Sequence, residues 1–305
     1  MALSNFPNGL SSFGIPVFGS APLNGGSVFF VDPRAYLSTT GENTVLTIQA
    51  AVTAAAATGK PATILVAPGT YAETVTIARP TGGSATLFIQ GMGPNGSVVI
   101  DPAGANTNAL VNHADGVSLI NLTMVGTGTG AGLVNTGANF NAYGCAMEGD
   151  TTGDCAQMTR GTVAQAAAGT HGTGADCLLA SCEFSLATNG VEIVCTDAGE
   201  IVRLQIQDGW FHDVSALHIY ETVGSGGAAS AMYGGLKLEG NTHQDSIAGT
   251  QPTDYVLLNG DNANAGIMAF CVFPTTFAGG KVLLSTALIS VGNFFTGGIS
   301  TGQPS

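Results

Sequence analysis

Short runs of alternating apolar and polar residues fill the chain from about residue 62 onward, and Gly, Asn or Thr separates one run from the next. Alternation with a period of two is typical of β-strands with one buried face. The predicted strands include residues 63–66, 74–77, 86–90, 97–100, 117–125 and 201–207. The pattern predicts an all-β chain built from many short strands.

A single helix is predicted at residues 43–59, where apolar positions recur at i, i+3, i+4 and i+7. Those positions are Ile48, Ala51, Val52 and Ala55. Gly59 is a suitable stop at the C-terminal end of the helix. One short amphipathic helix ahead of a long β region is what a solenoid needs to cover its open end. We therefore expect this helix to cap the fold.

A five-residue segment recurs along the β region. Its copies start at Ile120, Tyr143, Ala180, Gln207, Leu238, Met268 and Val291, so that successive copies are 23, 37, 27, 31, 30 and 23 residues apart. Such spacing fits one solenoid coil per copy, with loops inserted in the longer coils. Residues 28–305 are accordingly predicted to form a single parallel β-helix domain.

Residues 1–27 are predicted to form an extended N-terminal arm. The segment is rich in Gly, Pro, Ser and Asn but also carries large apolar residues, which need a surface to cover them. The arm either lies on its own β-helix or reaches a neighbouring chain. The residues expected to make that interface are Phe6, Phe13, Ile15, Val17 and Phe18.

Composition favours assembly. Only 9% of residues are charged, against about 25% in a typical soluble domain, and the mean hydropathy is +0.32. An elongated solenoid has a large surface, so its low charge suggests that other protein chains cover part of it. The 7 Lys+Arg against 20 Asp+Glu form no basic stripe, which argues against binding to nucleic acid or to an anionic membrane.

The chain starts without a basic segment followed by an apolar one, so we predict no signal peptide and synthesis in a host cytoplasm. The six cysteines are then expected to be free thiols. A zinc site is the alternative, but there is no CxxC pair and His171 near Cys177 is a weak signal. We predict no metal and no cofactor.

Two segments near the start carry a resemblance to a known family. They are Leu46-Thr47-Ile48-Gln49-Ala50-Ala51-Val52 and the stretch from Ala62 to Ile77, which contains Ala67-Pro68-Gly69-Thr70-Tyr71. Together they resemble the opening of pectin methylesterases and other pectin-lyase-like proteins. The resemblance implies a right-handed parallel β-helix in which these residues form the cap helix and first coil. Ile64, Val66, Val75 and Ile77 would point inward. The match covers about thirty residues and indicates little about chemistry.

A second resemblance concerns the arm. Asn5-Phe6-Pro7-Asn8-Gly9, the segment 13–18 and the predicted strand Val28–Asp32 look like parts of phage virion proteins that decorate or cement a capsid.

The catalytic motifs of related enzyme families are missing. Pectin methylesterases carry QDT, DFIFG and LGRPW-like motifs, and polygalacturonases carry NTD, DD, GHG and RIK. None occurs in this sequence. Lyases of this fold use Arg or Lys, and the cations of the body, Arg160, Arg203, Lys237 and Lys281, do not stand beside an acidic cluster suited to calcium. We therefore predict that the chain is not an enzyme and has no catalytic residues.

Two acidic segments remain as candidate sites. Glu148 to Asp154 holds three carboxylates that could bind calcium or sugar, although a solvated loop is the favoured interpretation. Asp208-Gly209-Trp210-Phe211-His212-Asp213 could stack on and hydrolyse a sugar. Strand alternation would put Trp210 and His212 on one face with Asp208, while Asp213 points away; a Trp packed on a flat face is favoured. His218 and His243 stand alone in the sequence and are expected to be hydrogen-bonded structural residues.

The favoured hypothesis is a non-enzymatic bacteriophage structural protein, a trimeric capsid decoration or cement protein located in the virion. Its expected partners are copies of itself and a major capsid or other virion protein. The alternative is a tail spike or adhesin that binds or degrades cell-surface polysaccharide. That alternative requires a cleft that brings Asp208, His212 and another carboxylate together. A bacterial assembly or encapsulating protein is a further possibility.

Overall fold

The structure is a computed structural model. It describes residues 11–12, 15–16, 27–34, 44–80, 86–159, 175–195, 203–223, 235–244, 252–258, 266–274, 281–283, 288–295 and 298–300. The predicted arm residues Phe6, Phe13, Val17 and Phe18 lie outside these ranges. Of Ile15 only the backbone is described, in a two-residue strand, β2 (Ile15–Pro16), that pairs with β1 (Ser11–Ser12). The arm and the boundary at residue 28 remain predictions.

Three long sheets run the length of the described fold, and each coil contributes one strand to each sheet in turn. Sheet 1 contains β3 (Ser27–Val31), β4 (Thr44–Val45), β5 (Ala62–Val66), β8 (Leu87–Gly91), β11 (Val117–Ile120), β14 (Asn141–Tyr143), β17 (Cys177–Ala180), β20 (Leu204–Gln207), β23 (Lys237–Glu239), β26 (Gly266–Ala269) and β29 (Leu288–Val291).

Sheet 2 follows in each coil. It contains β6 (Gly69–Tyr71), β9 (Val98–Ile100), β12 (Thr123–Val125), β15 (Ala146–Glu148), β18 (Glu183–Ser185), β21 (Trp210–Phe211), β24 (Thr242–His243), β27 (Val272–Phe273), β30 (Asn293–Phe295) and β31 (Gly298–Ser300).

Sheet 3 completes each coil. It contains β7 (Val75–Ile77), β10 (Leu110–Asn112), β13 (Leu133–Asn135), β16 (Asp154–Thr159), β19 (Ala187–Cys195), β22 (Val214–Val223), β25 (Asp254–Leu257) and β28 (Lys281–Leu283). Apart from β30–β31, the pairs described within the three sheets are parallel. The prediction of a right-handed parallel β-helix is confirmed.

From β11 onward, the turn from sheet 1 to sheet 2 uses one left-handed residue per coil. These residues are Asn121, Gly144, Ser181, Asp208, Gly240, Phe270 and Gly292, with φ between 52° and 66°. A single residue with positive φ reverses the side-chain alternation and bends the chain sharply. The predicted strand 117–125 is therefore two strands, β11 and β12, separated at Asn121.

The same turn shows where the predicted repeat alignment is wrong. Gln207 pairs with Glu239, and Glu239 pairs with Ala269. The copies predicted to start at Leu238 and Met268 are thus shifted by one residue, whereas the earlier copies have the register that the alignment predicts. Because side chains alternate along a strand, a shift of one residue exchanges the inner and outer faces. The left-handed residue of each coil gives the correct alignment.

The core lies between the three sheets. Ile64, Val66, Val75 and Ile77 are buried, as predicted. Along the inner face of sheet 2 aromatic rings stack from coil to coil, with ring centroids of Phe184 and Phe211 4.5 Å apart, Phe211 and His243 4.9 Å apart, and His243 and Phe273 4.6 Å apart.

Five cysteines of the described fold are buried free thiols: Cys145, Cys155, Cys177, Cys182 and Cys271. Burial raises the pKa of Cys145 to about 11.

The cap helix, α1, spans Ile48–Thr58 and starts later than predicted. Thr44–Val45 forms β4 instead, because it pairs with β3 at the end of sheet 1. The Thr47 side chain caps the N-terminus by accepting from the backbone N–H of Ala50 at 3.1 Å. The Glu73 carboxylate accepts from the backbone N–H groups of Ile48 and Gln49 at 2.7 and 2.9 Å. The predicted apolar stripe is buried and Gly59 ends the helix with φ of 61°.

Within the described residues, no helix is both long enough and apolar enough to cross a membrane.

Candidate functional site

The outer face of sheet 2 carries an open groove of about 540 Å³. Strand register places Thr123, Ala146, Glu183 and Trp210 side by side on four successive coils. Turn residues close one side of the groove, among them Asp208. We call this the acidic groove. Its polar and aromatic lining includes Asn95, Thr123, Glu148, Ser181, Glu183, Asp208 and Trp210.

Trp210 is the only tryptophan of the chain and is 44% exposed in the groove. Its ring centroid lies 4.0 Å from that of His212, which follows two residues later in the same coil and on the same face. Its indole N–H donates to Oε1 of Gln244 at 3.3 Å. The ring is thus held in place from two sides while part of its surface faces solvent. An exposed, oriented indole is the kind of flat apolar platform on which a ligand ring stacks.

His212 bridges two carboxylates. Its Nε2 lies 2.9 Å from Oε1 of Glu183, and its Nδ1 lies 2.9 Å from Oδ2 of Asp213. The His212 side chain is 15% exposed, whereas the Glu183 side chain is 42% exposed. The arrangement holds one oxygen of Glu183 against the imidazole and leaves the other free for the groove.

Glu148 is the second carboxylate of the groove. Ala146 pairs with Glu183, so Glu148 stands two residues further along the neighbouring strand, about 8 Å away by strand spacing and rise. Burial raises the pKa of Glu148, and the charges of Glu183 and Asp101 raise it further, while His212 lowers it. Two carboxyl groups with different environments are the starting point for acid–base catalysis.

Thr123 adds an unsatisfied hydroxyl. The residue is 6% exposed and its Oγ1 is buried without a hydrogen-bond partner among the described residues. Since buried polar groups are normally paired, this unpaired hydroxyl beside the groove is an exception within the described residues. Thr123 stands in the same row of the groove as Glu183 and Trp210.

The structure tests the predicted segment 208–213 directly. Trp210 and His212 share one face, as predicted, and Asp208 lies at the same groove. The prediction that Asp213 points away is wrong. Asp213 has a left-handed backbone, with φ of 53°, which interrupts the strand alternation and lets its carboxylate contact His212. The favoured interpretation, a Trp on a flat face, is replaced by a Trp in an open groove.

The predicted acidic segment 148–154 does not form one site. Glu148 faces the groove, Asp150 accepts from the backbone N–H of Gly128 at 3.0 Å, and Asp154 accepts from the side-chain amides of Gln157 and Asn189 at 2.7 and 2.8 Å. The described residues contain no group of three His, Cys, Asp or Glu side chains placed to hold a metal ion.

The other two candidate histidines are hydrogen-bonded structural residues, as predicted. His218 and His243 are buried and their Nδ1 atoms lie 3.0 Å apart. They come from neighbouring coils and meet in the interior. Burial lowers the pKa of His218 to about 3 and also lowers that of His243. The pair is therefore neutral, with one Nδ1–H donating to the other Nδ1.

Glu183 and Thr123 were missed at the sequence level, and Glu148 was assigned to a loop. A signal for Glu183 exists in the repeat, because it occupies the fourth position of its copy, as Trp210 and Thr123 do in theirs. Reading that column across copies would have placed the three residues on one outer row.

No protein-family model and no curated protein sequence matches the chain. Solved structures with the same fold do. A pectin methylesterase from Aspergillus niger has a TM-score of 0.54 at 16% identity and covers 91% of this chain and 88% of its own. An alginate lyase from Paenibacillus sp. has a TM-score of 0.57 at 12% identity, covering 91% and 97%. A carrot pectin methylesterase has a TM-score of 0.53 at 12% identity, covering 91% and 85%.

These likenesses establish the pectin-lyase-like β-helix fold. They also correct the prediction that the chain is not an enzyme, because these three solved structures are named as enzymes. The motif comparison led to the wrong prediction because it searched for residues of known families, whereas the groove of this chain carries a different set.

Proposed function

We propose that the acidic groove binds a polysaccharide and hydrolyses its glycosidic bonds. The single observation that carries the proposal is the exposed, oriented Trp210 beside two carboxylates, Glu148 and Glu183, in one open groove. Stacking on the indole would hold a sugar ring, and the carboxylates would act on the bond next to it. The polysaccharide alternative requires a cleft with Asp208, His212 and a further carboxylate. Asp208, Glu148 and Glu183 line the groove, whereas His212 contacts Glu183 without lining it.

The two carboxylates suit different roles. Glu148, whose pKa is raised by burial, would be the general acid that gives its proton to the glycosidic oxygen. Glu183 would take a proton from a water, whose oxygen then bonds to the anomeric carbon as the carbon–oxygen bond to the leaving sugar breaks. In an inverting reaction a water fits between two carboxyls about 6.5–9.5 Å apart, and this is the arrangement proposed for Glu148 and Glu183. His212 and Asp213 would orient Glu183.

The activity test uses the full chain and a reducing-end assay on polysaccharides that are neutral, anionic or rich in amino sugars. Glu148→Gln and Glu183→Gln should each lower the rate by about 10²–10⁴-fold. Glu239→Gln is the matched control, since Glu239 pairs with Lys237 on the outer face of sheet 1, and its rate should equal that of the wild type. The proposal fails if the wild type cleaves none of the substrates, or if the control loses as much activity as the groove variants.

A binding test measures the role of Trp210 in holding the polysaccharide separately from the catalytic role of the carboxylates. Trp210→Ala should weaken polysaccharide binding by about 1–3 kcal/mol, by analogy with stacking on aromatic side chains. Phe88→Ala is its control, because Phe88 is similarly exposed, at 41%, on sheet 1. Equal affinities of the two variants would contradict a binding role for the groove.

His212 is proposed as a positioning residue. His212→Gln should lower the maximal rate and displace the limb of the pH–rate profile that reports Glu183, while the Michaelis constant changes little. An unchanged pH profile would show that the histidine has no part in orienting Glu183.

A virion setting, as a tail spike or adhesin acting on cell-surface polysaccharide, is a proposal that rests on the resemblance of residues 5–32. The homotrimer and the contact with other virion proteins are also proposals, based on low charge and the apolar arm. Removing residues 1–27 should abolish incorporation into particles and leave the circular dichroism of the β-helix unchanged. Incorporation of the truncated chain would contradict the role of the arm.

A further inference from the structure

The charges around the acidic groove are of one sign. Glu148, Glu183 and Asp208 line it, and Asp101 is near enough to raise the pKa of Glu148. Neither Lys nor Arg is among the described residues that line it. His212 is the one basic side chain in contact, and it already lies between Glu183 and Asp213. A cleft lined by one sign of charge attracts ligands of the other sign.

Four of the five Lys and Arg side chains in the described fold form ion pairs away from the groove, and the fifth, Lys60, follows the cap helix and does not line the groove. The ion pairs are Arg34–Asp32, Arg79–Asp115, Arg203–Asp176 and Lys237–Glu239. These side chains therefore add no positive charge to the lining of the groove. A polyuronate, with one carboxylate on every sugar, would bring like charges against Glu183 and Asp208, and that juxtaposition is unfavourable.

A ligand with ammonium groups fits the same surroundings. An ammonium donates three hydrogen bonds and accepts none, and the free oxygen of Glu183, the carboxylate of Asp208 and the unpartnered Oγ1 of Thr123 are acceptors. Thr123 Oγ1 is buried at the floor of the groove and makes no hydrogen bond within the described part of the chain. The exposed face of Trp210 adds a cation–π site for a cation that stands over the ring.

We infer that the groove selects a polysaccharide whose sugars carry free amino groups, a cationic glucosamine-type glycan, over its N-acetylated counterpart and over polyuronates. The inference rests on the proposed function, because it names the substrate class of the same groove. It differs from the substrates named for two of the solved structures, pectin and alginate.

The chain supplies its own probe. Trp210 is the only tryptophan, so its fluorescence reports occupation of the groove. Three hexasaccharides of equal length would be titrated at 4 °C and pH 5.5, where the amino groups of glucosamine are protonated: glucosamine, N-acetylglucosamine and galacturonate. The glucosamine hexamer should bind about ten-fold more tightly than the N-acetylated one, and added salt should reduce that ratio. The galacturonate hexamer should not bind.

Variants show which charges make the selection. Glu183→Gln should bring the affinities for the glucosamine and N-acetylglucosamine hexamers closer together, and Glu239→Gln should leave their ratio unchanged. The inference is overturned if the N-acetylated or the galacturonate hexamer binds as tightly as the glucosamine hexamer. In that outcome a saturable change of Trp210 fluorescence still supports the proposed function. No response to any of the three sugars, in fluorescence or in heat, overturns both.

Discussion

The inner and outer faces of sheet 2 carry different kinds of side chain. On the inner face Phe184, Phe211 and His243 stack at coil spacing and are buried. One residue away along the same strands, Glu183 and Trp210 face an open groove. On the inner face, burial lowers the pKa of His243 and keeps it neutral. On the outer face, His212 stands between two carboxylates. The comparison teaches that a residue type acquires its role from the face on which strand alternation places it.

The largest loss of stability should come from a substitution on the inner face of sheet 2. Phe211→Ala removes a fully buried ring from the centre of the stack and should lower the free energy of unfolding by about 3–5 kcal/mol. Chemical denaturation followed by circular dichroism measures it. A loss below about 1 kcal/mol, the size typical of a surface site, would mean that the stack is not a stabilising element.

The buried histidine pair should make the fold sensitive to acid. The pKa of His218 is lowered to about 3 in the folded state, whereas it is about 6.5 in the unfolded chain. Between these values the unfolded chain binds the proton, so stability falls as the pH falls from about 6.5, by up to about 1.4 kcal/mol per pH unit for each such histidine.

The double variant His218→Leu with His243→Leu should remove this slope, and the single variant His243→Leu should cost about 1–3 kcal/mol because it leaves a buried partner unpaired. Denaturation midpoints between pH 4 and pH 8 measure both effects. A wild-type curve that is flat between pH 6.5 and 5 would contradict the neutral pair.

Glu192, on the outer face of sheet 3, should give a smaller pH dependence of stability, in which stability falls as the pH rises. Burial raises the pKa of Glu192, and the charge of Asp154 raises it further. A carboxyl with a raised folded pKa contributes its stability at low pH and loses it as the pH rises through the folded value. Glu192→Gln should therefore raise the melting temperature at pH 7–8 by about 1–2 °C. The gain should vanish near pH 4, and a gain that persists there would exclude titration as its cause.

The smallest change in stability should follow the substitution that matters most for the groove. Trp210→Ala alters an exposed outer position and should change the free energy of unfolding by less than about 0.5 kcal/mol. Thermal denaturation of this variant beside Phe211→Ala sharpens the contrast between adjacent residues of one strand. A loss comparable to that of Phe211→Ala would mean that the indole serves the fold rather than the groove.

Much of the fold was predictable from local sequence. Period-two alternation located β5, β7, β8 and β9 to within one residue at either end, and helical spacing identified the buried stripe of α1. The helix start was predicted too early because pairing of β4 with β3, a contact distant in sequence, overrides local helix propensity. The repeat alignment slipped at Leu238 and Met268 because the left-handed turn residue that sets the register is not a constant residue type.

The candidate site was predictable only within one coil. Trp210 and His212 belong to one short segment, and strand alternation correctly placed them together. Asp213 was misplaced because its left-handed backbone breaks the alternation. Glu148 and Glu183 lie 35 residues apart in the sequence, and nothing local links them.

The sequence by itself determined the fold class, the inward-facing residues and the position of the cap helix, because burial imposes a short period on neighbouring residues. Tertiary structure alone decided which outward-facing residues share a surface. The reason is geometric: stacking sets positions about 4.8 Å apart although one coil or more of chain separates them. Loops of differing length hide that coil-to-coil register from the sequence. The acidic groove, with Thr123, Glu148, Glu183 and Trp210 drawn from four coils, is the product of that register.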